Sequence, residues 1–145
     1  MADSNESWYA RPVFFVADGR QALQFYGDLG FDEAWRHERD GSVVAAQVNR
    51  EGVELILSQN PERAGRGRLF VELYDGQVAE CVESISAAGI QVTDEHFGMP
   101  VKAIRDIDGN EILLRDDTLG PADEGTIRAN AAASTAARNS VPGCS

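Results

Sequence analysis

The sequence predicts an α+β domain assembled from two βαβββ modules in tandem. Three observations predict it: a strand, acidic residue, helix and glycine follow one another twice, three more strand candidates follow each helix, and identical residues recur at one separation. Arg11 and Arg68, Asp18 and Asp75, Gly52 and Gly109, and Glu54 and Glu111 are each 57 positions apart (68−11, 75−18, 109−52, 111−54). Chance supplies one or two such identities, but not the same order of elements twice.

Residues 11–17 (RPVFFVA) are β-branched and aromatic and read as the first strand. Asp18 is a helix N-cap, its carboxylate accepting the free N–H groups of the first turn. Ala22, Phe25, Tyr26 and Leu29 then fall at i, i+3, i+4 and i+7, one apolar stripe, and Gly30 ends the helix. Strands are expected at 31–37, 42–48 and 53–59, joined by the turns 38–41 and 49–52 and stopped by Asn60-Pro61. Residues 62–67, polar and rich in Arg and Gly, form a linker.

The order then repeats. Residues 68–74 are a strand, Asp75 the cap, Val78, Cys81, Val82 and Ile85 the helical stripe, and Gly89 the stop. Strands are expected at 90–93, 101–106 and 111–115, the last two joined by the turn 107–110, so that GVELIL and GNEILL are matching closing strands. The modules cover residues 10–60 and 67–116; neither is large enough to bury its sheet alone, so the two pair within a single domain, 10–116. Residues 1–9 are an N-terminal tail in which Trp8 and Tyr9 would cover a sheet edge or a dimer contact. Residues 117–145 are a polar, Ala-rich C-terminal tail; 126–138 would form a helix on a docking partner and otherwise stay unstructured.

Composition narrows the functional classes. The chain of 145 residues is 43% hydrophobic and 26% charged, values of a soluble globular protein. No run approaches the roughly 18 apolar residues of a membrane span, and the N-terminus reads as lacking a secretion signal. Thirteen basic against 24 acidic residues leave a net charge of −11. That field repels a phosphate backbone, so nucleic acid is not an expected partner; it attracts small cations, or serves solubility alone. Cys81 and Cys144 form no CxxC pair and are expected to be free thiols in a reducing cytoplasm. Gly-rich phosphate loops, GxSxG and HExxH are absent from the sequence.

The segments RPVFFVAD…ALQFYGDLGF and LFVELYD…AAGI…IRDIDGNEILLRD resemble the vicinal oxygen chelate superfamily of glyoxalases, extradiol dioxygenases and bleomycin resistance proteins. The resemblance covers almost everything except the tails. It implies curled mixed sheets around a cleft (the vicinal oxygen chelate fold) and a homodimer. The superfamily's enzymes hold a divalent metal there through His, Gln or Glu, one ligand from the first and last strand of each module. Strand alternation turns Arg11, Val13 and Phe15 to the cleft and Val16 to the helix. The matching ligand positions are then Arg11, Ile56, Arg68 and Leu113. A guanidinium offers no lone pair and Ile and Leu have no donor atom, so neither metal nor other cofactor is expected. A relocated site drawn from His37, His96, Glu54, Glu72 and Glu111 lacks ligand spacing, its members being spread over separate strands.

What remains resembles the bleomycin resistance branch, which binds a planar cationic drug in grooves at a dimer interface and sequesters it without catalysis. On that reading Phe15, Trp35 and Phe70 are aromatic walls, Phe97 and Met99 stand in a loop at the cleft mouth, and Glu54, Glu72 and Glu111 attract a cation. Arg11 and Arg68 either pair with those glutamates or grip an anionic ligand. Each aromatic also has a purely structural reading as core. The expected function is a cytoplasmic, metal-free binding protein for a small aromatic compound, a planar antibiotic in particular. The alternatives are a glyoxalase- or dioxygenase-like enzyme with relocated metal ligands and a non-enzymatic assembly subunit.

Overall fold

In the computed structural model, which describes residues 8–121, the chain runs β1 (Val13–Val16), α1 (Gly19–Asp28), β2 (Asp32–Arg39), β3 (Ser42–Arg50) and β4 (Val53–Gln59). It continues through β5 (Arg68–Glu72), α2 (Gln77–Ala87), β6 (Thr93–His96), β7 (Pro100–Arg105) and β8 (Glu111–Arg115) to a short 3-10 turn, Asp117–Leu119. The strands form two mixed four-stranded sheets, ordered β1-β4-β3-β2 and β5-β8-β7-β6, which do not close on one another. In each, the module's first and last strands lie side by side in parallel, Val13 beside Ile56 and Arg68 beside Glu111, and the remaining pairs are antiparallel. The C-terminal residues 126–138, for which a docked helix was one expectation, lie outside the described residues.

Alternation decides what each sheet buries. Phe14 and Val16 turn to the core while Val13 and Phe15 take the other face. The helix-side residues of both modules join a single cluster in which Phe14, Val48, Leu55 and Leu57 meet Ile104, Ile112 and Leu114. The helix-bearing faces therefore pack toward a common core, and each sheet keeps its other face open. On the second open face, Val101, Ala103 and Leu113 form a small separate cluster with Phe70 and Met99.

Asp18 caps α1 as expected, accepting from the N–H groups of Arg20 and Gln21 at 3.0 Å each. Gln59, at the end of β4, accepts from Gly19 N–H at 2.8 Å. A Cβ at Gly19 would lie 1.9 Å from the carbonyl oxygen of Val43, so the helix approaches β3 only because this residue is glycine. The second helix departs from the repeat. Gly76 is left-handed (φ 88°), α2 starts at Gln77, and Asp75 does not cap it. Instead Asp116 accepts from the N–H groups of Gly76 (3.0 Å) and Val78 (2.9 Å). Asp116 is the counterpart of Gln59 (116−57), so a residue at the end of the last strand (Gln59) or just past it (Asp116) ties down the helix start in each module. The carboxylate lies below its ordinary range: burial pulls it up, but hydrogen bonds from Thr118, Val78 and Gly76 outweigh that.

A second difference is β6. The strand expected at 90–93 begins only at Thr93, because Ile90 and Val92 are drawn against the core instead of pairing with β7. The expected four-residue turns tighten to Asp40-Gly41 and Glu51-Gly52, whose positive φ angles (51° and 53° at the acidic residues) suit two-residue hairpins.

The modules are joined by a buried polar knot. Tyr26 of α1, fully buried, donates its hydroxyl to Asp106 Oδ2 at 2.8 Å. The same carboxylate accepts from Asn110 Nδ2 and from the N–H groups of Asp108 and Asn110, each at 2.9 Å. Asn110 Nδ2 also reaches the carbonyl oxygen of Phe15 at 2.9 Å, and Asp108 Oδ2 accepts from Ala17 N–H at 3.2 Å. The turn 107–110 is thus fastened to β1 of the other module. Among the described residues no helix is long and apolar enough to cross a membrane.

Candidate functional site

The open face of the second sheet carries Arg68 and Phe70 from β5 with Glu111 and Leu113 from β8, paired in register. Phe97, in the loop before β7, turns over this face: its ring centroid lies 5.9 Å from that of Phe70, and the Arg68 guanidinium sits 5.4 Å above it. Met99 packs beside Phe70. Arg68 Nε meets Glu111 Oε1 at 2.8 Å, and Arg105 Nη2 meets Glu111 Oε2 at 2.7 Å. The hydrogen bond from Arg68, with support from Arg105, holds the Glu111 carboxyl below its ordinary range. Arg115, opposite Glu72, is buried and donates to the carbonyl oxygens of Pro100 (2.9 Å) and Gly120.

The open face of the first sheet repeats the charge pair and changes its surroundings. Arg11 Nε meets Glu54 Oε1 at 3.2 Å, the counterpart of Arg68 and Glu111. Glu54 also accepts from Gln47 Nε2 at 3.1 Å, and Gln47 Oε1 accepts from the indole N–H of Trp35 at 3.0 Å. The Tyr9 ring lies 4.6 Å below the Arg11 guanidinium. Its hydrogen bond to Glu54 lowers that carboxyl and raises the Tyr9 hydroxyl. Phe15 stacks under Arg63 at 5.2 Å. Trp35 and Phe97 both remain well exposed, at 42% and 44%.

The family model of the Glyoxalase/Bleomycin resistance protein/Dioxygenase superfamily matches residues 8–114. The chain belongs to this superfamily. Similar solved structures include a bleomycin-binding protein complexed with bleomycin (21% identity, TM-score 0.59), covering 74% of this chain and 97% of that one. A bleomycin resistance determinant encoded on the transposon Tn5 (23%, TM-score 0.60) covers 74% and 96%. An antibiotic binding protein from a Streptomyces species (23%, TM-score 0.56) covers 75% and 96%. A comparison with curated protein sequences finds no match.

Arg11, Ile56, Arg68 and Leu113 stand at the positions expected from sequence to match the metal ligands of the superfamily's enzymes. Ile56 lies beside Val13 and Leu113 beside Phe70, and neither offers a donor atom. The two arginines are tied to glutamates and have no lone pair to give. His37 and His96 stand on different sheets, and among the described residues no three His, Cys, Asp or Glu side chains converge. These residues do not fit a catalytic metal.

Of the residues singled out by sequence, Arg68, Phe70, Phe97, Met99 and Glu111 come together on the second sheet, with Glu72 at the end of the same strand. Arg11, Phe15 and Trp35 lie on the first sheet. The two readings of Arg11 and Arg68 resolve into ion pairs within each module. Sequence reasoning missed Gln47 and Arg105, and it gave Tyr9 to a sheet edge or dimer contact where the structure sets it against Arg11 and Glu54. Gln47 left a signal, a lone amide inside the apolar run SVVAAQV, where a buried polar group needs partners.

Proposed function

We propose that the open sheet faces bind a planar aromatic compound and hold it without catalysis. The observation that carries this is the Phe70–Phe97 pair capped by Arg68, an exposed stacking surface at a position where relatives would present a metal ligand. Flat rings stack on such a surface, and a guanidinium above a ring is itself a stacking partner. Trp35 supplies a second exposed ring, oriented by Gln47. The bleomycin and antibiotic binding recorded for the similar structures supports the same reading, as does an acidic chain for a cationic guest. The proposal includes a homodimer in which a second copy covers the faces each chain leaves open, β2 being exposed along its whole length. It also places the protein in the cytoplasm, where Cys81 stays reduced.

The test is a fluorescence titration with metal-free bleomycin, using a Trp8→Phe chain so that Trp35 alone reports. Saturable quenching is expected, with at least tenfold weaker affinity in Phe97→Ala and Phe70→Ala variants of unchanged circular dichroism. Quenching indifferent to both substitutions refutes the stacking surface. No stabilisation by bleomycin or any planar antibiotic in a thermal-shift panel refutes the binding role.

A further inference from the structure

Strand register defines a trough on the open face of the first sheet. Trp35, Gln47, Ile56 and Val13 stand opposite one another in one row across β2, β3, β4 and β1. The next row is His37, Ala45, Ser58 and Phe15. Residues paired in this way share a face, so the small side chains of Ala45 and Ser58 lie between the taller rings of Trp35 and Phe15 at the two edges. From the strand of Trp35 to that of Ser58 is two strand spacings, roughly 10 Å at about 4.8 Å each. That span accommodates a flat ring lying on Trp35 with one substituent at Ser58.

The polar groups of this face divide into spent and free. The indole N–H of Trp35 goes to Gln47 (3.0 Å), and Gln47 donates to Asn49 (3.0 Å) and Glu54 (3.1 Å). Arg11 and Tyr9 also bond to the Glu54 carboxylate, so the acidic group of the face is taken up by its own neighbours. What is left over donates. The Ser58 hydroxyl has no hydrogen-bond partner among the described residues. The Arg63 guanidinium lies 5.2 Å over the Phe15 ring and, among the described residues, forms no ion pair. By contrast Arg11, Arg20, Arg36, Arg68, Lys102 and Arg105 each meet a carboxylate.

The linker holds Arg63 in place. Asn60 N–H donates to the carbonyl oxygen of Val16 (2.8 Å), Gly65 N–H to that of Phe15 (3.3 Å) and Gly67 N–H to Asn110 Oδ1 (2.7 Å). A Cβ at Gly65 would lie 2.1 Å from the carbonyl oxygen of Asp108, so the segment is clamped between β1 and the turn 107–110.

We propose that the ring bound by the first sheet carries a carboxylate, received by Ser58 and Arg63 while the ring lies on Trp35. This rests on the stacking function proposed above and adds the class of its guest, a planar aromatic acid. A guanidinium and a hydroxyl both donate to carboxylate oxygens. The net charge of −11 sets the field at a distance, and a cation elsewhere on the guest answers to it. At contact the nearest groups decide, because salt screens the rest beyond about 8 Å.

Calorimetric titration compares three probes that share one ring system: 2-naphthoate, the uncharged 2-naphthalenemethanol and the cationic 2-naphthylmethylamine. The naphthoate is expected to bind at least fivefold tighter than the alcohol, against the net charge of the chain. Arg63→Gln and Ser58→Ala are each expected to cut that ratio below twofold and to leave the affinity for the alcohol unchanged. Arg20→Gln, which removes the same charge from α1, and Phe97→Ala, on the other sheet, are expected to preserve it. A ratio near one in the wild type, a preference that survives Arg63→Gln, or one that disappears in Phe97→Ala overturns the proposal. So does tighter binding of the amine than of the naphthoate, or no binding of any of the three. The two readings fail separately: bleomycin quenching that depends on Phe70 and Phe97, without a naphthoate preference, keeps the stacking surface and removes the acid.

Discussion

Replacing Tyr26 by phenylalanine removes one oxygen atom from the knot that joins the modules and leaves the buried ring in place. The hydroxyl donates to Asp106 at 2.8 Å, within a site that excludes solvent. A hydrogen bond to a charged acceptor contributes about 1.5–3 kcal/mol. Asp106 keeps its bonds from Asn110 and Asp108, so no carboxylate is stranded. The expected loss is about 2 kcal/mol, which for a domain of this size lowers Tm by roughly 5–10 °C. Urea unfolding followed by circular dichroism measures it. The pH dependence supplies an independent check. Burial, and then the Asp106 carboxylate, push the Tyr26 hydroxyl far above its ordinary value near 10. Below pH 10 this residue is protonated both folded and unfolded, and its contribution is complete. Above pH 10 only the unfolded chain releases the proton, so wild-type stability falls by about 1.4 kcal/mol per pH unit from this group, a slope absent in the variant. The gap between the two proteins is expected to narrow between pH 10 and 11. A gap at neutral pH below about 0.5 kcal/mol, unchanged in alkali, refutes the knot and leaves Tyr26 as packing alone.

Two further outcomes follow from the same structure. Asp116→Ala frees the N–H groups of Gly76 and Val78 and is expected to cost about 1–2 kcal/mol, whereas Asp75→Ala costs a few tenths; thermal melts with the order reversed would restore Asp75 as the cap. The lowered carboxyls of Glu111 and Asp116 contribute stability that is present above the unfolded carboxylate range near pH 4 and lost as pH falls through their folded values. Acid melts are expected to be shallower in an Asp116→Asn/Glu111→Gln chain, and superimposable acid profiles would count against both assignments.

Local chemistry was legible wherever neighbours along the chain decide the outcome. Asp18 caps α1 because its carboxylate is one residue from the helix, and β4 and β8 have the bounds their alternation indicates. The cap of α2 was not legible, since its acceptor comes from a residue 38 positions beyond Val78 and outranks the adjacent Asp75. Ile90 and Val92 have strand-forming side chains, but burial against the core outweighed propensity. Tyr26 shows the same limit differently: its place in the apolar stripe was readable, its bond to a carboxylate 80 positions away was not. At the candidate site the aromatic and charged residue types were legible. That Arg68 lies over Phe97 while Arg11 lies over Tyr9 depends on loops whose course no periodicity encodes.

By itself the amino-acid order determined the duplicated strand–helix plan and the residue types, Arg11, Ile56, Arg68 and Leu113, at the positions the resemblance matches to metal ligands. Both are properties of residue type and spacing. Only the tertiary structure decided which arginine meets which ring and which distant carboxylate starts the second helix. Contacts between groups far apart along the chain depend on how two sheets settle against a shared core, and that settlement is a property of the packed whole.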